Sequence, residues 1–205
     1  HVVFGRSSFT SGAFDLSTLH GANGGDGTSG FVGTFSLLSS PPAVNRAGDI
    51  NGDNINDIAI GFNGDAYVIF GKPTPFAAEI DLDTIATGDG SVGVQFPGAV
   101  EAFGVGDMNG DGFGDLLFST LEPYIVYGQA GFPGVFQIST ILAANGGDGS
   151  SGSAFLASRL GLTPSQDFNF ENDGADFNDD GFSDAFIYGV GVIFGRSAPL
   201  SLIHI

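Results

Sequence analysis

Three stretches of this chain set side-chain oxygens at alternate positions of a short loop. They are Asp49-Ile50-Asn51-Gly52-Asp53-Asn54-Ile55-Asn56-Asp57, Asp107-Met108-Asn109-Gly110-Asp111-Gly112-Phe113-Gly114-Asp115 and Asp176-Phe177-Asn178-Asp179-Asp180-Gly181-Phe182-Ser183-Asp184. Each reads D-x-N-x-D-x-x-x-D. Positions 1, 3 and 5 carry Asp49, Asn51 and Asp53; Asp107, Asn109 and Asp111; Asp176, Asn178 and Asp180. Position 7 (Ile55, Phe113, Phe182) would add a backbone carbonyl, and position 9 (Asp57, Asp115, Asp184) a further carboxylate. A donor set made only of oxygens suits a hard divalent cation, and calcium tolerates irregular geometry best. The expectation is about three calcium ions, one per loop. An EF-hand would need Glu at position 12, where this chain has Ile60, Phe118 and Ile187, so these are shorter loops set within β-structure. Asp, Asn and Gly also make plain hairpin turns; the threefold recurrence with every acidic position kept is what favours a cation. Asn54 replaces Gly at position 6 of the first loop, and Asn tolerates the left-handed conformation required there.

Each loop runs straight into an apolar strand: Ile58-Ala59-Ile60, Leu116-Leu117-Phe118 and Ala185-Phe186-Ile187. A second motif alternates with the loops, as Val2-Val3-Phe4-Gly5-Arg6, Val68-Ile69-Phe70-Gly71-Lys72, Ile125-Val126-Tyr127-Gly128-Gln129 and Val192-Ile193-Phe194-Gly195-Arg196. Its aromatics lie 66, 57 and 67 residues apart, and the loops 58 and 69 apart, which describes a single repeat. A third motif follows, as Phe14-Asp15-Leu16-Ser17-Thr18-Leu19, Ile80-Asp81-Leu82-Asp83-Thr84-Ile85 and Phe136-Gln137-Ile138-Ser139-Thr140-Ile141, with a truncated copy at Pro199-Leu200-Ser201-Leu202-Ile203. Its alternation of apolar and polar residues predicts a fourth strand at the outer edge of each sheet. Gly-Asp-Gly turns come next (25–27, 88–90, 147–149), then short segments around Phe31, Phe96 and Phe155. No helical period extends over a useful length; residues 139–144 could make one turn at most. Repeated four-stranded sheets predict an all-β, β-propeller-like array of about three four-stranded blades plus an N-terminal half blade.

The formal charge is −18, with 23 acidic and five basic residues, which argues against nucleic acid and anionic membrane as partners. Three loops with three acidic positions each hold much of that charge, and three divalent cations would bring it to −12. Cys is absent, so there is no disulfide framework or thiol chemistry. The chain opens on His1, which reads as a processed form or an excised segment. No apolar run reaches membrane-spanning length, and membrane insertion is not expected.

Taken together, the three motifs in this order resemble the FG-GAP repeats of integrin-α-type β-propellers, and most of all the repeats of large secreted bacterial calcium-binding proteins. The resemblance spans almost the whole chain as one domain, 1–205: a half blade at 1–38 and calcium-loop blades at about 39–96, 97–155 and 156–205. It implies a calcium role for the three loops and an extracellular, secreted or cell-surface location. The chain departs from the family pattern in two places. Phe-Gly before the loop survives only as Phe103-Gly104, and Gly-Ala-Pro after the second strand is absent. Four copies of the V-x-F-G strand against three loop hairpins leave the array open. It is a fragment of a longer propeller, half of a ring completed by a second copy, a head-to-tail assembly by strand addition, or an irregular compact form.

Catalytic constellations are missing from the sequence, and no enzyme activity is expected. His1, His20 and His204 have no ligand spacing, and no Lys-Ser/Thr follows the Gly-Asp-Gly turns. The expected function is an extracellular calcium-binding structural or adhesive module that self-associates through unpaired blade edges. The alternatives are a propeller fragment that binds a protein or carbohydrate, and an accessory domain of a larger secreted enzyme.

Overall fold

The computed structural model describes residues 1–5, 13–36, 41–73, 75–120, 123–142, 145–154, 174–187 and 191–197. Strand β1 (Val2–Val3) pairs antiparallel with β2 (Gly30–Thr34), forming a half-sheet. Four antiparallel strands follow as sheet I: β3 (Ala43–Gly48), β4 (Asp57–Phe62), β5 (Asp65–Ile69) and, after the detached β6 (Glu79–Asp81), β7 (Gly93–Phe96). Sheet II repeats the pattern with β8 (Glu101–Gly106), β9 (Asp115–Ser119), β10 (Tyr124–Val126) and β11 (Gly152–Ala154). A hairpin of β12 (Ala185–Ile187) and β13 (Gly191–Ile193) ends the described chain. The fold is thus all-β, with two complete four-stranded sheets among the described residues.

The local chemistry explains the strand ends. Asn63 and Gly64, both left-handed (φ 52° and 86°), join β4 to β5 as an Asn-Gly hairpin turn. A bulge precedes each of the first two loops at the same register, so that Gly48 faces Asp57 and Gly106 faces Asp115.

The expectation for the D-L-S-T-L motif is overturned. Leu16–Leu19, Leu82–Thr87 and Ile138–Ile141 are 3-10 turns and not strands. The Asp15 and Asp81 carboxylates accept the N–H groups of Ser17 and Asp83 at 2.9 and 3.1 Å, and the hydroxyls of Thr18, Thr84 and Thr140 bond back three residues to Asp15, Asp81 and Gln137. These local bonds hold the backbone in a turn. The apolar residues buried by the second and third turns lie three apart, Leu82 with Ile85 and Ile138 with Ile141, which is the 3-10 period. The fourth strand of each sheet is instead the segment after Gly-Asp-Gly, around Phe31 and Phe96. The half-sheet therefore pairs β1 with β2 and not with residues 14–19. Phe155, the truncated motif at 199–203 and the first strand of the last repeat lie outside the described residues.

Consecutive sheets are latched at both ends. At the outer rim, β6 of one repeat adds in parallel to β2 of the preceding one (Val32–Glu79, Gly33–Ile80, Thr34–Asp81). The Gln95–Val135 bridge repeats this one sheet further on. Between sheets I and II lies a core in which Ala47, Ala59 and Val68 face Ala102, Leu116 and Phe118. Small residues let the sheets approach closely. A second core joins Val105, Met108, Leu117 and Ile125 to Ala185 and Ile193. A third sets Phe31 of the half-sheet, with no exposed surface, against Ile60, Tyr67 and Ile69. Burying such a phenylalanine contributes about 2–3 kcal/mol. Among the described residues no helix is long and apolar enough to cross a membrane.

Candidate cation loops

The first two loops connect the first and second strands of sheets I and II, and the third leads into β12. In each, the backbone wraps around the position-1 carboxylate. Asp49 accepts N–H bonds from Gly52, Asp53 and Asn54 at 2.8, 3.0 and 2.7 Å. Asp107 accepts from Gly110, Asp111 and Gly112 at 2.6, 3.1 and 2.8 Å. Asp176 accepts from Asp180 and Gly181 at 3.1 and 2.8 Å, and the Gly181 bond above all holds its carboxyl below the usual range.

The position-3 amide and position-5 carboxylate extend the same pattern. The oxygens of Asn51, Asn109 and Asn178 accept the N–H of position 5, and their amides donate to the position-5 carboxylates. Asp53, Asp111 and Asp180 then accept the N–H of Ile55, Phe113 and Phe182 at 2.8, 2.9 and 3.0 Å. This wrapping needs left-handed residues at position 6, and Asn54, Gly112 and Gly181 supply them at φ 65°, 90° and 91°. The substitution of Asn54 for glycine thus keeps the turn, as expected.

Position 9 plays a part that the spacing did not reveal. Asp57, Asp115 and Asp184 are buried. One oxygen of each accepts the N–H of position 2 (Ile50 2.9, Met108 2.8, Phe177 2.7 Å). The other accepts the N–H of the V-x-F-G glycine (Gly71 2.7, Gly128 3.0, Gly195 2.9 Å). The carboxylate clamps the loop to the third strand. Burial pushes the Asp57 carboxyl up to about 7 and Asp115 up to about 8, against the pull of these N–H bonds. Repulsion from Asp53 and Asp49, or from Asp111 and Asp107, adds to the rise. The recurring glycine was the legible signal: a Cβ on Gly128 or Gly195 would strike the loop backbone of its own repeat and of the preceding one.

Successive loops are stitched in order. The Asp49 and Asp107 carbonyls accept N–H bonds from position 8 of the next loop, Gly114 at 2.7 Å and Ser183 at 2.9 Å. The Ile50 and Met108 carbonyls accept from Gln129 at 2.9 Å and Arg196 at 2.7 Å. The rings of Phe113 and Phe182 lie against Gly52 and Gly110, leaving no room for a Cβ. The structure therefore brings the three loops into one file.

Among the described residues no group of three or more acidic, histidine or cysteine side chains converges with metal-ligand geometry. The loop carboxylates are drawn onto the loop's own N–H groups. The donor set nevertheless fits a hard cation in kind. Every donor at positions 1, 3, 5 and 9 is an oxygen, and each carboxylate oxygen engaged by one N–H keeps a further lone pair.

The Gly-Asp-Gly segments are turns in which Asp26, Asp89 and Asp148 accept the N–H of Thr28, Ser91 and Ser150, each at 2.9 Å. His1 and His20, remote in sequence, meet at the surface with ring nitrogens 3.3 Å apart, and His20 lies 3.4 Å from Glu79. The latch between β2 and β6 brings Glu79 there, a pairing that spacing alone could not show. No family model matches the chain, and no curated protein matches it.

Proposed function

We propose that the chain is a non-catalytic, calcium-braced structural or adhesive module built as part of a β-propeller and working outside the cell. The file of three loops with one donor pattern carries the reading. Each loop would hold one calcium ion through the side chains at positions 1, 3, 5 and 9 and the carbonyl at position 7. The ion would offset the mutual repulsion of three carboxylates and stiffen the hairpin that feeds two strands. Because consecutive loops share hydrogen bonds, bracing one also fixes the angle to the next sheet. The propeller reading draws on the two matching four-stranded sheets and the half-sheet ahead of them, and on the resemblance to FG-GAP repeats. The extracellular reading draws on that resemblance and on a millimolar calcium supply that would keep weak loops filled.

Calorimetric titration of the metal-free chain with calcium tests this. Uptake of about three ions, lost one at a time in Asp49→Ala, Asp107→Ala and Asp176→Ala, is the expected result. No heat and an unchanged melting curve on adding calcium would reject the reading.

A further inference from the structure

The two ends of the file are unlike its middle, and they complement each other. Counted from the Gly48–Asp57 and Gly106–Asp115 pairs, Val44 and Ile58 of sheet I occupy the places of Ala102 and Leu116 of sheet II. Ala102 and Leu116 are buried beneath sheet I, whereas Val44 is 59% exposed and Ile58 only partly covered. The half-sheet reaches only the outer part of sheet I. Beside its inner part lies a cavity of about 530 Å³, bounded by Val2, Val3 and Phe4 of the half-sheet and by Ile55, Ile58 and Ile69 of sheet I. The N–H groups of Asn56 and Lys72 border it without a hydrogen-bond partner among the described residues, where the equivalent N–H groups of Gly114 and Gln129 bond to the preceding loop. A Cβ on Gly5 would meet nothing, although its counterparts Gly71, Gly128 and Gly195 are each pressed against a loop.

At the other end stands what this cavity lacks. Phe177 is 58% exposed, where Ile50 and Met108 at the same loop position are fully buried. Phe186 is exposed as well, where Leu117 at the same place in β9 is fully buried. The Asp176 and Phe177 carbonyls accept no bond among the described residues, where those of Asp49, Ile50, Asp107 and Met108 each take one from the next repeat.

We propose that the cavity receives the Asp176–Asp184 loop and β12 of a second copy, joining copies head to tail. This rests on the reading of the chain as a structural module and names the surfaces through which it associates. The Asp176 and Phe177 carbonyls would accept the Asn56 and Lys72 N–H groups, continuing the stitch already made twice within the chain. Strand β1 would pair with the incoming β12 in place of that copy's β13. The two strands suit such an exchange, since Val2-Val3-Phe4-Gly5-Arg6 differs from Val192-Ile193-Phe194-Gly195-Arg196 at one position. The Gly5 N–H would then bond to Asp184 as Gly195 now does at 2.9 Å. Such strand addition between unlike surfaces builds rings or filaments.

Sedimentation velocity in saturating calcium tests the proposal with Val44→Asp and Phe177→Asp, both at exposed positions. The wild-type chain should grow in size with concentration. Each variant alone should stay monomeric, its association weakened at least about tenfold. An equimolar mixture should yield a one-to-one dimer, because each variant retains the surface that the other lacks. A wild-type chain that stays monomeric, a variant that associates like wild type, or a mixture that does not pair would each overturn the docking. Calcium titration of the wild-type chain separates the two readings: calcium uptake by a chain that stays monomeric rejects the docking alone, and association without calcium uptake rejects the calcium reading alone.

Discussion

The inner loops and the outer Gly-Asp-Gly turns are built from the same residue types, but their aspartates act by opposite means. At the rim, Asp26, Asp89 and Asp148 are solvent-exposed, and hydrogen bonds from Thr28, Ser91 and Ser150 hold their carboxyls below the usual range. The contact with the next repeat is made by glycine. A Cβ on Gly27 or Gly90 would run into the Phe76 or Phe132 carbonyl, and both are left-handed at φ 78° and 84°. At the inner end the acid itself ties the loop to the third strand of its own sheet. Asp57 and Asp115 are buried, bridge two backbone segments, and are pushed up to about 7 and about 8. An exposed Asp shapes one turn, whereas a buried Asp ties two elements together and pays a desolvation cost that a cation nearby would relieve.

The largest effect that would sharpen this contrast is calcium removal, which should act on the inner joints and spare the rim. A metal bound only to the folded chain at a hundredfold its Kd adds about 2.7 kcal/mol per site. Three sites then translate into a melting point lowered by roughly 15 °C or more on chelation. The same titration has a pH signature. The folded-state carboxyls of Asp57 and Asp115 titrate above the ordinary 3.8, so the metal-free fold holds extra protons between pH 4 and 8. Their contribution is therefore most favourable in acid and lost as pH rises through that window. The rim carboxyls run the other way, with stability present above 3.8 and lost below it. Calcium binding should release protons at pH 6 and none at pH 9, which calorimetry in buffers of differing ionisation enthalpy would read.

Asp115→Ala comes next. It leaves the Met108 and Gly128 N–H groups buried without their acceptor, and denaturant unfolding should show a loss of about 3 kcal/mol or more even in chelator. Asp107→Ala in chelator should cost less, since solvent can reach the N–H groups it frees. Equal costs would break the distinction between clamp and loop carboxylate. Gly90→Val at the rim should cost about 2 kcal/mol through its left-handed backbone and the Phe132 carbonyl. Asp89→Ala, which frees only a solvent-exposed Ser91 N–H, should give the smallest change of the set. A rim aspartate as costly as Asp115 would mean that the two joints do not differ in kind.

The loops and the strands leading out of them were legible because their chemistry is local. Oxygen spacing, an Asn-Gly turn and runs such as Ile58-Ala59-Ile60 each carry their own signal. The D-L-S-T-L segments misled because alternation over five residues fits a strand as well as a 3-10 turn. The deciding facts were the Asp15 and Asp81 caps and the threonine back-bonds, which act over two or three residues and leave the alternation intact. The true fourth strand escaped notice because Gly30-Phe31-Val32-Gly33 has two glycines and little alternation. Its pairing is set by the strand before it and the latch after it. The clamp role of Asp57, Asp115 and Asp184 was hidden for a related reason: each acts on a glycine that comes 14, 13 or 11 residues later.

The parallel latch of β6 on β2 has a further consequence, for modularity. The unit that recurs in sequence and the unit that forms a sheet are out of phase, because the first full repeat donates β6 to the rim of the half-sheet and the next donates a bridge at Val135 to β7. Cutting the gene between two sheets therefore does not separate two modules: it strips a strand from one and strands it on the other. Recombination or truncation that respects sheet boundaries should produce frayed rims, while a breakpoint just after the latch would separate β7 from the rest of sheet I. Repeats joined in this way are inherited more easily as a run than singly.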